Sequence, residues 1–377
     1  MNSMRSRFPG WLALGVTAAT LWLGGCAADK AKPAPLETVT AQIAGKQVWQ
    51  LNIGNVSFPL NVAARQGQFF AASDAGTVVA VDAATGREAW RADVGARLSA
   101  GVGSDGRYAA VVTRDGEVVV LDKGAEVWRA RVDSRVVTAP LVAGERVFVL
   151  GVDRVVQAFD LLDGRRLWTL KRPGDALTLA QAGVLTAYKD TLVAGQGNRL
   201  VGVDPLKGTV RWEVPVVTPR GSNEVERLAD LVGPVTRAGS VLCMRAFQNA
   251  LGCVDAERGQ LKWSVNGGGL QAVGGDADFV FSADASDRLS GRRRSTGEVL
   301  WTTERFLNRG LSGPVSLGKT LVVGDFEGEV HFLGRDAGQT QLRLPTDGSA
   351  VVGTPVVLDT TLLVVTAKGG LFAFRPE

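Results

Sequence analysis

One histidine, His331, stands in 377 residues, beside three cysteines, three methionines and two tyrosines. A single histidine excludes a paired-histidine metal site. It lies in an alternating stretch, Glu329-Val330-His331-Phe332-Leu333, where a histidine is more often packed or solvated than catalytic. Cys-x-x-Cys, Gly-x-Ser-x-Gly and phosphate-loop patterns are missing, and the many Asp residues recur as turn caps. No catalytic, metal or cofactor site is read from this set. An excess of one charge is missing too. The formal net charge is +4, of which Arg5 and Arg7 in the leader supply two. With the nucleic-acid motifs absent, nothing argues for a nucleic-acid partner. The leading apolar run, Trp11 to Leu23, has 13 residues, short of the roughly 20 a membrane-spanning helix needs.

What is present is a repeat. Gly76 to Trp90 reads as a strand, a tight turn through Asp82, Thr85 and Gly86, and a second strand that carries a Trp. Asp122, Gly124 and Trp128 form a shortened copy. Asp160, Gly164 and Trp168 follow, then Asp204, Gly208 and Trp212, then Asp255, Gly259 and Trp263. Arg293, Gly297 and Trp301 keep the spacing with Arg in the Asp position, and Gly334, Gly338 and Leu342 keep it with Leu in the Trp position. Trp49 fills the same slot with no strand before it. The eight slots, 49, 90, 128, 168, 212, 263, 301 and 342, lie 38 to 51 residues apart. A period near 40 with four short strands per unit predicts an all-β fold, an eight-bladed β-propeller. Small residues and Pro recur after five of the slots, at Pro59, Pro140, Pro234, Pro314 and Pro355, where the innermost strand meets a crowded axis. Leu371 to Phe374 lacks an outer partner and Val48 to Gln50 an inner one. Pairing them in one blade closes the ring.

Residues 1–25 read as a signal peptide: a basic start, an apolar run and Leu23-Gly24-Gly25 before Cys26. Residues 26–45 read as a tether rich in Lys, Ala and Pro, and 46–377 as the propeller. Leu177-Thr178-Leu179-Ala180 reads as the start of blade four. Val217 to Asp230 is an insertion that stretches one interval to 51 residues, with Ser222, Glu226 and Arg227 suited to cap a helical turn. An elongated polar loop on a rigid ring is a place to look for function. A three-residue turn with Asn249 in the left-handed region would set Cys243 opposite Cys253, fit for a disulfide. A two-residue turn would leave two buried thiols. Arg292-Arg293-Arg294 reads as a solvated basic turn.

The Ala-x-Asp-x-x-Thr-Gly-x-x-x-Trp unit is similar to that of pyrroloquinoline-quinone dehydrogenases, propellers with a quinone and Ca²⁺ on the axis. That resemblance implies a periplasmic redox propeller as the alternative function. Those enzymes are longer, and many carry adjacent cysteines, which this chain lacks. Leu23-Gly24-Gly25-Cys26 resembles a bacterial lipobox, which implies acylation of Cys26. Ala27 in the next position implies the outer membrane. Leader, mature length, eight units and insertion together resemble the BamB family, the propeller lipoproteins of the outer-membrane β-barrel assembly (BAM) complex. In that family a Leu-x-Leu-Arg loop and an Arg-Leu-x-Asp-x-Asp loop dock on the POTRA domains of the barrel-forming BamA-type subunit. Leu177 and Leu179 match the first, with Ala180 in place of its Arg. Arg227, Leu228 and Asp230 match the second, with Val232 in place of its last Asp. The resemblance implies a non-enzymatic, lipid-anchored scaffold on the periplasmic face of the outer membrane. It also implies contact with unfolded outer-membrane protein precursors at exposed blade edges.

Overall fold

In seven of the eight blades four antiparallel strands pair in chain order, because each pair is joined by a turn too short to cross over. We label the strands a to d in that order. The computed structural model describes residues 31–172, 177–219 and 221–377. The leader and Cys26 lie outside them. Seven blades are contiguous: Ala63–Asp93, Leu98–Arg131, Leu141–Leu170, Leu185–Pro215, Leu231–Asn266, Gly274–Thr303 and Val315–Pro345. Blade eight takes strands a to c from the C-terminus, Val351–Leu358, Thr361–Thr366 and Gly370–Pro376, and strand d from the N-terminus, Gly45–Asn52. Trp49 pairs with Ala373 and Gln50 with Phe372, so the two orphan ends close the ring. The a strands touch their neighbours all the way round.

The b and c strands are continuous apolar runs because a neighbouring blade covers each of their faces. Phe69–Ala72, Val78–Val81 and Val118–Val120 are all buried. The d strands alternate, as in Glu88–Asp93, because one edge meets water. At the axis the a strands approach backbone to backbone. A Cβ at Gly103 would lie 1.9 Å from the Pro140 carbonyl oxygen, and one at Gly233 would lie 2.2 Å from that of Gly183.

The repeated turn and Trp form a joint between blades. Each Trp lies over the turn glycine of the following blade: Trp49 over Gly86, Trp128 over Gly164, Trp263 over Gly297. In five of the seven the indole Nε1 donates to the carbonyl after the turn cap: Trp49 to Ala83 at 3.1 Å, Trp128 to Leu161 at 2.7 Å, Trp168 to Pro205 at 3.0 Å, Trp263 to Arg294 at 2.7 Å and Trp301 to Arg335 at 2.8 Å. Gly86 serves both needs. Its φ of 74° closes the turn, and a Cβ there would lie 2.6 Å from the Trp49 ring. Asp82 caps the turn by accepting from Thr85 N and Oγ1 at 2.8 and 2.7 Å.

Four local expectations change. Leu177–Ala180 is not a strand but part of the connection from blade three, and blade four begins at Leu185. Asn223, not Ser222, caps the insertion's turn: its Oδ1 accepts from Glu226 N at 2.9 Å, while the Glu226 carboxylate accepts from Ser222 N at 2.7 Å. The basic run is not uniformly solvated. Arg293 is exposed, but Arg294 is buried and donates to Thr236 Oγ1 at 2.9 Å and Cys243 Sγ at 3.3 Å, tying blade six to blade five. Cys243 faces Cys253 across a three-residue turn, with Cα atoms 4.0 Å apart and the sulfurs joined. The left-handed residue of that turn is Gln248, at φ 50°, rather than Asn249.

Residues 34–44, within the span read as a tether, lie along blade seven. Ala34 N donates to Leu307 O and Gln42 N to Gln341 O, both at 2.8 Å. Arg343 Nη2 donates to Glu37 O at 2.9 Å. Leu36 packs on the Phe306 and Leu311 cluster. Behind the segment, buried Arg309 donates to Ala34 O at 3.0 Å, to Asp325 Oδ2 at 2.8 Å and to Glu327. Asp325 also meets His331 Nε2 at 3.0 Å, and the His331 ring lies 4.7 Å from that of Phe306. Burial pushes the His331 imidazole below its ordinary range, against the pull of Asp325, and Arg343 and Arg309 lower it further. Unfolded chain takes up a proton near pH about 6.5 that the folded chain refuses, so stability falls as pH drops below that value. No other histidine blurs the effect. The thermal midpoint is expected to decline from pH 7 toward 5.5, and His331→Gln to remove most of that slope. A flat wild-type profile would contradict this account.

Candidate functional site

Four-stranded blades joined in sequence put their turns on two faces. The a–b and c–d turns share one face with the Trp joints. The b–c turns and the blade-to-blade connections share the other. The long insertion and the Leu177–Ala180 segment are both blade-to-blade connections, from blade four to five and from three to four. Alternation along the chain does not reveal that they meet.

Asp230 brings them together. Its Oδ2 accepts from Leu179 N at 2.8 Å, and its Oδ1 accepts from Arg154 Nε at 2.9 Å and lies 2.7 Å from Arg154 Nη2. Arg154 Nη2 also donates to Leu177 O at 3.1 Å. Arg154 belongs to the b–c turn of blade three and has a φ of 66°, a left-handed conformation sparsely used by residues with side chains. Sequence reading missed it because it lies 76 residues from Asp230. Where Ala180 offers no cation, Arg154 supplies one to this surface. Val232, in the other altered position, is buried and bridges Gly183, so a carboxylate there would be buried as well.

Leu177, Leu179, Arg227 and Leu228 are half-buried rather than fully exposed. The protruding apolar groups are Val225 on the insertion, 71% exposed, and Leu270 on the connection from blade five to six, 42% exposed. Gln181 Nε2 donates to Leu270 O, which places that third loop beside the first. Arg245 braces it from beneath. Fully buried, it donates to Gln271 O at 2.7 Å, Gly268 O at 2.6 Å and Ala283 O at 2.6 Å, and burial lowers its pKa to about 10. Beside the loops lies an open groove of about 550 Å³, lined in part by Arg154, Arg172, Arg199, Glu213, Arg227 and Asp230. Burial pushes the Glu213 carboxyl up, but Arg172 and Arg199 upon it outweigh burial and hold it below the usual range.

The family model described as "Outer membrane protein assembly factor BamB" matches residues 37–99 and 74–303. The chain belongs to the BamB family. BamB of Bordetella pertussis is 34% identical over 385 residues, covering 99% of each chain. BamB of Burkholderia pseudomallei is 35% identical over 367 residues, covering 96% of each, and BamB of Escherichia coli is 28% identical over 382 residues, covering 95% of this chain and 97% of that one. The crystal structure of BamB from Moraxella catarrhalis superposes with a TM-score of 0.79 at 24% identity, covering 88% of this chain and 99% of that one. Quinohemoprotein alcohol dehydrogenase from Comamonas testosteroni shares the ring alone: TM-score 0.65, 15% identity, 90% of this chain and 78% of that one. Among the described residues no group of three or more His, Cys, Asp or Glu is placed to hold a metal. Glycine backbones crowd the inner strands. These residues do not fit a quinone–Ca²⁺ centre on the axis.

Proposed function

We propose that this BamB-family chain is a non-enzymatic scaffold of the outer-membrane β-barrel assembly machinery. It docks on the POTRA domains of the barrel-forming subunit through Leu177, Leu179, Arg227, Leu228 and Asp230, and it aids insertion of outer-membrane proteins. Acylated Cys26 holds it at the periplasmic face of the outer membrane. The relatives' shared description as assembly factors supports the process. The observation that carries the docking reading is the bridge at Asp230, which gathers two segments about fifty residues apart in sequence into one surface. Apolar anchors within a charged rim form a protein interface, and a few such anchors carry most of the binding energy. Outer d strands carry exposed aliphatic side chains, Val127, Val210, Leu261 and Val299, on edges suited to pairing with unfolded precursor strands.

The test is binding to the purified POTRA fragment. Leu177→Ala with Asp230→Ala is expected to raise the dissociation constant by about tenfold or more, taking roughly 1 kcal/mol or more for each lost anchor. Asp230→Ala also releases Leu179 and leaves Arg154 without this partner. Leu177→Ala alone separates loss of contact from loss of loop order. Unchanged binding by a folded double variant would remove these residues from the interface.

A further inference from the structure

We infer that the groove beside the docking loops is a carboxylate receptor, occupied in the complex by acidic side chains of the partner that sits on the leucine surface. This rests on the docking reading above and names the chemistry that the partner must bring.

The groove presents four guanidinium groups, Arg154, Arg172, Arg199 and Arg227, against two carboxylates, Glu213 and Asp230. Asp230 is engaged by Arg154. Glu213 is shared, 2.5 Å from Arg172 Nη2 and 2.7 Å from Arg199 Nη1. Among the described residues, two positive charges remain in excess within a concave wall, where field lines concentrate and anions gather. The excess has a definite address. Arg172 Nη1 is buried and has no hydrogen-bond partner among the described residues. Among the described residues, the Arg227 side chain, on the insertion, lines the groove without a hydrogen bond or ion pair. A buried donor left without an acceptor costs about 1–3 kcal/mol, so the free ring holds an unmet demand that an incoming oxygen relieves. Guanidinium groups answer that demand best with the two oxygens of a carboxylate, through paired N–H donors.

The source is the docked partner because the groove and the leucine surface share a wall. Asp230 faces the groove through Arg154 and holds the leucine loop through Leu179 N. Arg227 sits next to Leu228 on the same insertion. A domain seated on Leu177 and Leu179 thus brings its own rim over the groove mouth.

The experiment uses the full mature chain and the purified POTRA fragment, with dissociation constants taken at low and at physiological ionic strength. Arg227→Glu is expected to weaken binding by about tenfold or more at low salt and to flatten the salt dependence, since rim charges act through screened attraction. Arg227→Lys retains most of the affinity, and Arg172→Gln gives an intermediate loss. With no described partner to lose, Arg227→Glu should leave the urea midpoint of the ring unchanged. Wild-type affinity and salt dependence in both Arg227→Glu and Arg172→Gln, alongside weakening by Leu177→Ala, would overturn the groove assignment and remove Arg227 from the docking set, while docking through the leucine anchors stands. Absence of wild-type binding by a folded chain would remove both. If inorganic phosphate or anionic vesicles bind in an Arg227-dependent way while partner binding ignores Arg227→Glu, the occupant is a free anion or a lipid headgroup, and the assignment to the partner fails.

Discussion

Trp128→Ala is expected to lower the stability of the ring by about 3–5 kcal/mol, read as a fall in the urea midpoint. Three losses add up at this slot. The indole is 8% exposed and fills the space between blades two and three, near the Phe159 ring and over Gly164. Alanine leaves a cavity there that two rigid sheets cannot close. It also removes the 2.7 Å hydrogen bond to Leu161 O, stranding a carbonyl at the joint. Trp128→Phe separates these terms: it keeps most of the apolar volume and loses the hydrogen bond, for about 1 kcal/mol plus imperfect packing. Leu342→Ala, in the slot where leucine stands for tryptophan, should cost less than Trp128→Ala because no indole bond is lost. A Trp128→Ala midpoint close to wild type would mean that the joint is not where the blades gain their cohesion.

Arg309→Met is expected to cost about 3–5 kcal/mol, the usual result of removing one partner from a buried ion pair. The Arg309 side chain is 4% exposed and that of Asp325 is fully buried. Desolvation pushes the Asp325 carboxyl up, but His331 and Arg309 together outweigh it and keep the group ionised. Without Arg309, His331 is the remaining side-chain cation available to Asp325, and it carries charge only when protonated. The deficit should therefore shrink as pH falls toward 6, opposite in sign to the wild-type trend. Arg309→Met with Asp325→Leu should recover only part of the loss: no charge is stranded, but Asp325 Oδ1 also accepts from Glu327 N and Glu329 N at 3.0 Å, and leucine leaves both donors unmet. The same substitution removes the donor to Ala34 O, so faster proteolysis around residues 33–37 is the accompanying readout. Protection equal to wild type there would show that Leu36 and Arg343 hold the segment without Arg309.

The ring itself was legible because its signals are local and repeated. Asp82, Thr85, Gly86 and Trp90 state a turn and a plug within nine residues, and seven such statements, with an eighth plug at Trp49, leave little room for another fold. Closure was legible for a different reason, since Val48–Gln50 and Leu371–Phe374 are each a strand in search of an edge. What stayed hidden depends on distant partners. Leu177-Thr178-Leu179 alternates as a strand does, but no neighbouring strand presents an edge to it. Arg294 looks like one of three solvated arginines until Thr236 and Cys243 enclose it from another blade. Residues 34–44 have the composition of a linker, and their order comes from Arg309 and Arg343, 275 and 306 residues away. Arg154 carries no sign in its own neighbourhood that Asp230 will need it.

Blade eight has a consequence for the order of events in the living cell. Its outermost strand is the first to be synthesised and the other three are the last, so Gly45 waits for Pro376. Such a non-local pairing makes closure slow and late, and until it happens two sheet edges stand open to other chains. Seven blades can form as the polypeptide emerges, but the circle becomes a circle only after the final residues arrive. A copy lacking Gly370–Pro376 is an open arc in which the strand Gly45–Asn52 has nothing to join. An incomplete copy thus exposes at the break the strand edges that pair with each other in the closed ring.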